Sequence, residues 1–107
     1  MYDLPDEVSV TADGPIRIVR LHRPDDLNAV NHDLHEGIAD VWPQISADPD
    51  ARAVVLTGAG DAFSAGGDFG YLRELRDDAA LRKVSLATGK RIVLNMLPSQ
   101  DPTDPTF

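Results

Sequence analysis

Between a short β-branched run and a helical pattern lies Gly58-Ala59-Gly60-Asp61-Ala62-Phe63-Ser64-Ala65-Gly66-Gly67-Asp68, a loop built mostly of glycine and alanine. So few large side chains cannot fill a core, so the flanks must supply the apolar surface, and the small residues leave the main chain open to close approach. The upstream flank, Ala53-Val54-Val55-Leu56-Thr57, is continuously apolar, as in a parallel-sheet strand covered on both faces. The downstream flank opens at Asp68, a residue suited to cap a helix, and a helix is predicted from about Phe69 with Leu72 and Leu75 on one side. Strand, small-residue loop and helix in this order predict an α/β fold.

Nearer the start, Val8-Ser9-Val10-Thr11 alternates apolar and polar residues, Asp13-Gly14 signals a turn, and Ile16-Arg17-Ile18-Val19-Arg20-Leu21 resumes the strand, which predicts a hairpin. Pro24 has no N–H for a ladder and biases Arg23 towards extended geometry, so the second strand ends there and a loop runs to about Val30. Val30, Leu34, Ile38, Val41, Trp42 and Ile45 recur at helical spacing behind Asn31, a suitable cap. Trp42 belongs to the core on this pattern, and Pro43 is expected to kink or end the helix. Leu81, Val84, Thr88, Ile92 and Met96 extend a helical period later in the chain in spite of Gly89. Pro98 to Phe107 holds three prolines and little apolar surface, so residues 1–97 are read as the domain and 98–107 as a disordered tail.

A chain of 107 residues is one domain at most and buries roughly 65% of its unfolded surface if it folds alone. Ten Lys and Arg against 18 Asp and Glu give a formal charge of −8, which repels nucleic acid and anionic membrane, so neither is expected as a partner. The absence of cysteine excludes disulfides, thiolate nucleophiles and Cys-ligated metals. No apolar run approaches the roughly 20 residues of a bilayer span, and the acidic start lacks a signal-peptide pattern, so a soluble, cytoplasmic chain is expected.

The loop itself carries the chemical signal. Backbone N–H groups just before a helix are positioned donors for developing negative charge, and one such donor in an oxyanion hole is typically worth about 2.7–4 kcal/mol. The simpler alternative is a tight turn with no ligand. Other matches fail on their own terms. Ser64 lacks the glycine at 62 that a nucleophile elbow needs, and Gly58-Ala59-Gly60 has Phe63 where a dinucleotide fingerprint needs its third glycine. Asp68-Phe69-Gly70 spells a kinase tripeptide without the other kinase motifs. His32 and His35 have metal-compatible spacing but no third ligand in the pattern, so no metal is expected.

Ala62-Phe63-Ser64-Ala65-Gly66-Gly67-Asp68 after Val54-Val55-Leu56-Thr57-Gly58 resembles the crotonase (enoyl-CoA hydratase/isomerase) pattern A-F-S/C/A-A-G-x-D behind a hydrophobic strand. Arg23-Pro24-Asp25-Asp26-Leu27-Asn28-Ala29 is similar to that family's R-P-x-x-x-N-A segment. The resemblance covers residues 8 to 97 and implies the N-terminal part of the family's ββα spiral fold: hairpin, helix, buried strand, helices. It further implies that Gly67 gives one of two N–H groups holding the thioester oxygen of an acyl-CoA or enoyl-CoA. Ala65, Gly66 and Asn28-Ala29 then lie along the CoA, with Asp68 capping the helix beside it. Arg20 and Arg23 are candidates for the CoA phosphates. CoA is part of the substrate, and no separate cofactor is implied.

The family's catalytic glutamates, its second oxyanion donor and the C-terminal helices of its homo-oligomer are expected beyond Phe107. Two readings therefore stand at this point. One is a lyase or isomerase acting on enoyl-CoA thioesters. The other is a truncated, non-catalytic remnant that at most binds CoA or associates with another crotonase subunit.

Overall fold

The computed structural model describes residues 2–96. Strands β1 (Val8–Asp13) and β2 (Ile16–Leu21) form the expected antiparallel hairpin, with Val8 opposite Leu21 and Asp13 opposite Ile16. Gly14 and Pro15 turn the chain between them, and Gly14 adopts φ 57°, a left-handed value that glycine takes without steric cost. After β2 the chain crosses through helix α1 (His32–Ser46) to strand β3 (Ala53–Gly58). β3 runs parallel to β2, completing a sheet of order β1-β2-β3. A parallel neighbour requires a crossover of this kind, and the amphipathic segment read from the sequence provides it.

The period of two decides which face of the sheet becomes core. Val8, Val10, Val19, Leu21, Val54 and Leu56 share one face and pack with Leu34, Ile38, Val41, Trp42 and Ile45 of α1. Leu34, Val19 and Val41 are fully buried, and each such side chain contributes about 1.5–3 kcal/mol. Asn31 caps α1 as expected, accepting from Leu34 N at 2.9 Å.

Two expectations are corrected here. The helix does not end at Pro43 but continues to Ser46. Proline removes only its own N–H from the ladder, while its carbonyl still accepts from Ala47 N at 3.0 Å and Ile45 anchors the final turn on the core. β3 is not covered on both faces among the described residues, because Val54 and Leu56 meet the core while Val55 is 49% exposed.

A buried polar cluster ties the N-terminal segment to the far end of α1. The Arg17 guanidinium lies 2.9 Å from Asp48, and the Tyr2 hydroxyl donates to the same carboxylate oxygen at 2.6 Å. Arg17, with help from Tyr2 and the Asp50 N–H, holds the Asp48 carboxyl down at about 2.

The C-terminal pattern resolves into two helices, α2 (Phe69–Asp77) and α3 (Ala79–Met96). Asp78 separates them and accepts from Leu81 N at 3.0 Å, an N-cap for α3. The buried residue of α2 is Tyr71, not the Leu72 and Leu75 stripe, since Leu72 is half exposed. The Tyr71 ring lies against His32 and His35, with centroids 6.1 and 6.3 Å away, and its hydroxyl donates to Ser85 Oγ. α3 docks on α1 through Thr88, which donates to Glu36 at 2.6 Å, and Arg91, which pairs with Glu36 and Asp40. Gly89 faces His35 at that contact, and a Cβ there would make only an ordinary contact, 3.8 Å from Nε2. Among the described residues no helix is long and apolar enough to cross a membrane. The expected tail, 98–107, lies outside the described residues.

Candidate functional site

The two segments singled out in the sequence, one after β2 and one after β3, are bonded to each other along their length. Leaving β2, the chain makes a turn of 3₁₀ helix at Pro24–Asp26 and then places Leu27 (φ 53°) and Asn28 (φ 54°) in the left-handed region. Asparagine tolerates that conformation better than most residues, whereas leucine does so at a cost of roughly 1–2 kcal/mol. The reversal turns the Asn28 carboxamide inward, where it is 0% exposed. Its Oδ1 accepts from Arg23 N, and its Nδ2 donates to the carbonyls of Ala59 and Ala62, all at 2.8 Å.

From there the pairing continues residue by residue. Ala65 N donates to Leu27 O at 3.0 Å, and Ser64 Oγ donates to Asn28 O at 2.8 Å while accepting from Gly66 N at 3.2 Å. Val30 N donates to Gly66 O at 2.7 Å, and Asp68 N donates to Val30 O at 2.9 Å. Val30 and Gly67 thus form a parallel bridge in which the Gly67 N–H takes no part. Among the described residues nothing accepts the Gly67 N–H, and nothing donates to the Ala65 carbonyl. Both residues are exposed. Gly66 adopts φ 97° over open space, which orients the Gly67 peptide.

Asp68 caps α2 by accepting from Tyr71 N at 3.0 Å. That bond, together with Arg23 at 3.4 Å, lowers its carboxyl from the ordinary value of 3.8. Arg23 is itself consumed: its guanidinium also donates to the Ala29 carbonyl and pairs with Asp26 at 3.1 Å. A shallow depression of about 260 Å³ lies beside it, but Asp33, Asp68 and Glu74 line it with Arg23 and His32, which makes it a poor seat for phosphate.

The structure therefore brings Asn28, Ala29, Ala65, Gly66, Gly67 and Asp68 together, in different capacities. Ala65, Gly66 and Gly67 form an exposed rim. Asn28 and Ala29 were expected along a ligand channel, yet the Asn28 side chain is enclosed and the Ala29 carbonyl is taken by Arg23. The Asn28 side chain positions the loop, while Ala29 stays partly exposed beside it. Arg20 and Arg23 were candidates for phosphate; Arg23 is committed to internal bonds, whereas Arg20, on β2 opposite Thr57, is partly exposed and makes no ion pair among the described residues. Tyr71 escaped the sequence reading, although its place three residues after a capping aspartate is a usable signal. His32 and His35 face Tyr71, and among the described residues no group of three metal-ligating side chains gathers.

A family model described as enoyl-CoA hydratase/isomerase matches residues 11–97. The chain belongs to that family. An enoyl-CoA hydratase/isomerase from Mycobacterium paratuberculosis superposes with a TM-score of 0.85 at 59% identity, over 89% of this chain and 38% of that one. Mevalonyl-coenzyme A hydratase SIDH from Beauveria bassiana is 42% identical over 76 residues, which is 71% of this chain and 26% of that protein. A hydroxycinnamoyl-CoA hydratase-lyase from Pseudomonas fluorescens is 41% identical over 64% of this chain and 25% of its own. The chain thus spans about a quarter of the curated relatives it matches. The three-stranded sheet and its helices agree with part of the crotonase fold, and both resembling motifs fall inside the matched range.

Proposed function

We propose that this enoyl-CoA hydratase/isomerase family chain binds acyl-CoA thioesters at the Ala65–Gly67 rim, with the Gly67 N–H donating to the thioester oxygen. The observation that carries this reading is the Gly67 N–H, unpartnered among the described residues and held in place by the Asn28 and Val30 pairing on one side and by capped α2 on the other. A donor fixed before the ligand arrives needs no reorganisation as negative charge grows on the oxygen. Removing a proton from C2, or adding a nucleophile at C3, develops that charge.

Proton transfer needs a separate acid or base. Asp68 is committed to its cap and to Arg23, and the position of Glu74 beside it gives no support for a substitute. The reading is therefore of a site that binds and polarises a thioester, with the lyase or isomerase chemistry assigned to the family as a whole.

The test is an amide NMR titration of the chain with crotonyl-CoA, with CoA alone, and with S-butyl-CoA, a thioether that has no carbonyl. The expected result is a saturable shift of the Gly67 amide with the thioester only. A Gly67 amide that ignores crotonyl-CoA, or responds equally to the thioether, overturns the reading.

A further inference from the structure

Gly67 and Leu72 compete for one volume. A Cβ built on Gly67 would stand 3.2 Å from one Leu72 methyl and 3.3 Å from the other, closer than ordinary van der Waals contact. The isobutyl group therefore lies directly against the Gly67 main chain, in space that a side chain at 67 would otherwise take. At 48% exposure it also presents an open apolar face there.

The main chain is held on both sides of this contact. Leu72 N donates to Asp68 O at 2.9 Å in the first turn of α2, and the flanking Gly66 carbonyl and Asp68 N–H are bonded to Val30. Leucine branches at its end and carries no polar atom, so it presents an apolar wall beside the Gly67 main chain. An oxygen accepted by the Gly67 N–H at about 2.9 Å brings the carbonyl carbon and C2 alongside that glycine. The side chain packed on it is then in reach of a substituent on C2.

We propose that Leu72 is a specificity-determining residue for the acyl group, accepting a thioester unsubstituted at C2 and disfavouring one that carries a methyl there. This rests on the reading that Gly67 holds the thioester oxygen. A single extra methyl against such a wall changes affinity by about tenfold or more.

The experiment is calorimetric binding of crotonyl-CoA and 2-methylcrotonyl-CoA to the full chain, its Leu72→Ala variant and its Leu72→Met variant. The unsubstituted ligand should bind the unmodified chain about tenfold more tightly, and Leu72→Ala should bring the two within about twofold. Leu72→Met, with a longer and more flexible side chain, should fall between them and serves if the alanine variant does not fold. An unmodified chain that does not distinguish the two ligands, or a ratio untouched by both substitutions, overturns the role of Leu72 alone. A folded chain that binds neither thioester overturns the Gly67 reading and the role of Leu72 with it.

Discussion

Asn28 closes in on Gly58: a Cβ on that glycine would stand 2.7 Å from Asn28 Nδ2 and closer still to the carbonyl oxygens of Ala62 and Phe63. The glycine at the end of β3 thus leaves room both for the asparagine after β2 and for the loop that asparagine holds. Replacing Asn28 with alanine leaves the Ala59 and Ala62 carbonyls and the Arg23 N–H without their partner. Unsatisfied buried groups cost about 1–3 kcal/mol each, so Asn28→Ala should lower the urea unfolding free energy by about 3 kcal/mol or more. A loss below about 1 kcal/mol would show that water replaces the carboxamide and that the pairing is not structural.

Adjacent glycines should respond differently to alanine. Gly66 has φ 97° and open space around its would-be Cβ, so Gly66→Ala is penalised through the backbone, by roughly 1–2 kcal/mol. At Gly67 no positive φ adds a backbone penalty, and the added methyl meets the half-exposed Leu72 at 3.2–3.3 Å, a contact that a shift of a few tenths of an ångström relieves. Thermal melts of the two variants should therefore show the larger drop at Gly66, and the reverse order would mean that Leu72 is held rigidly.

Asp48 sets an acid limit. Its carboxyl is held at about 2 against an ordinary 3.8, so the folded state binds the proton less readily than the unfolded one. The stability this contributes is complete above pH 3.8 and is lost as pH falls towards 2. Urea unfolding midpoints measured across that range should fall with acid, and Asp48→Asn should flatten the dependence while lowering stability at neutral pH.

His35 sets a second, milder limit. Burial against Tyr71 and the contact with α3 lowers its pKa from 6.5, with Glu36 opposing and His32 and Arg91 adding to the effect. The neutral ring is the one that fits, so its contribution is complete above pH 6.5 and declines as pH falls below that value. Protection factors in α3, taken relative to the intrinsic exchange rate at each pH, should fall between pH 7 and pH 5, starting near Gly89. His35→Leu should remove most of that fall. An α3 whose protection is indifferent to pH over this range would show that protonating His35 does not disturb the α1–α3 contact.

Much of this was legible from the residues. Alternation around Val8 and Val19, the helical spacing from Leu34 to Ile45 and the caps at Asn31 and Asp68 are local signals, and each produced the element it predicted. The loop from Gly58 to Asp68 was found because glycine and alanine are rarely concentrated by chance between a strand and a helix. The inward turn of Asn28 was not legible, because it depends on Leu27 accepting a left-handed backbone, a cost offset in part by bonds to residues more than thirty positions away. Pro43 misled for a related reason. Helix propensity is local, whereas the hold of Ile45 on the core is tertiary. The commitment of Arg23 to Ala29, Asp26 and Asp68 is a property of the folded loop pair, and proximity in sequence suggested a ligand instead.

The bond from Asn28 to Ala59 also has a meaning in time. It closes a span of 31 positions, and the strands it joins are parallel, so no local hairpin can template it. Until α1 has crossed and β3 has docked, Gly67 belongs to a flexible glycine-rich thread with no fixed direction. That N–H therefore acquires its direction with the tertiary fold and loses it when the fold is lost. During synthesis, the ribosome must release residues beyond Asp68 before the proposed thioester donor can be set.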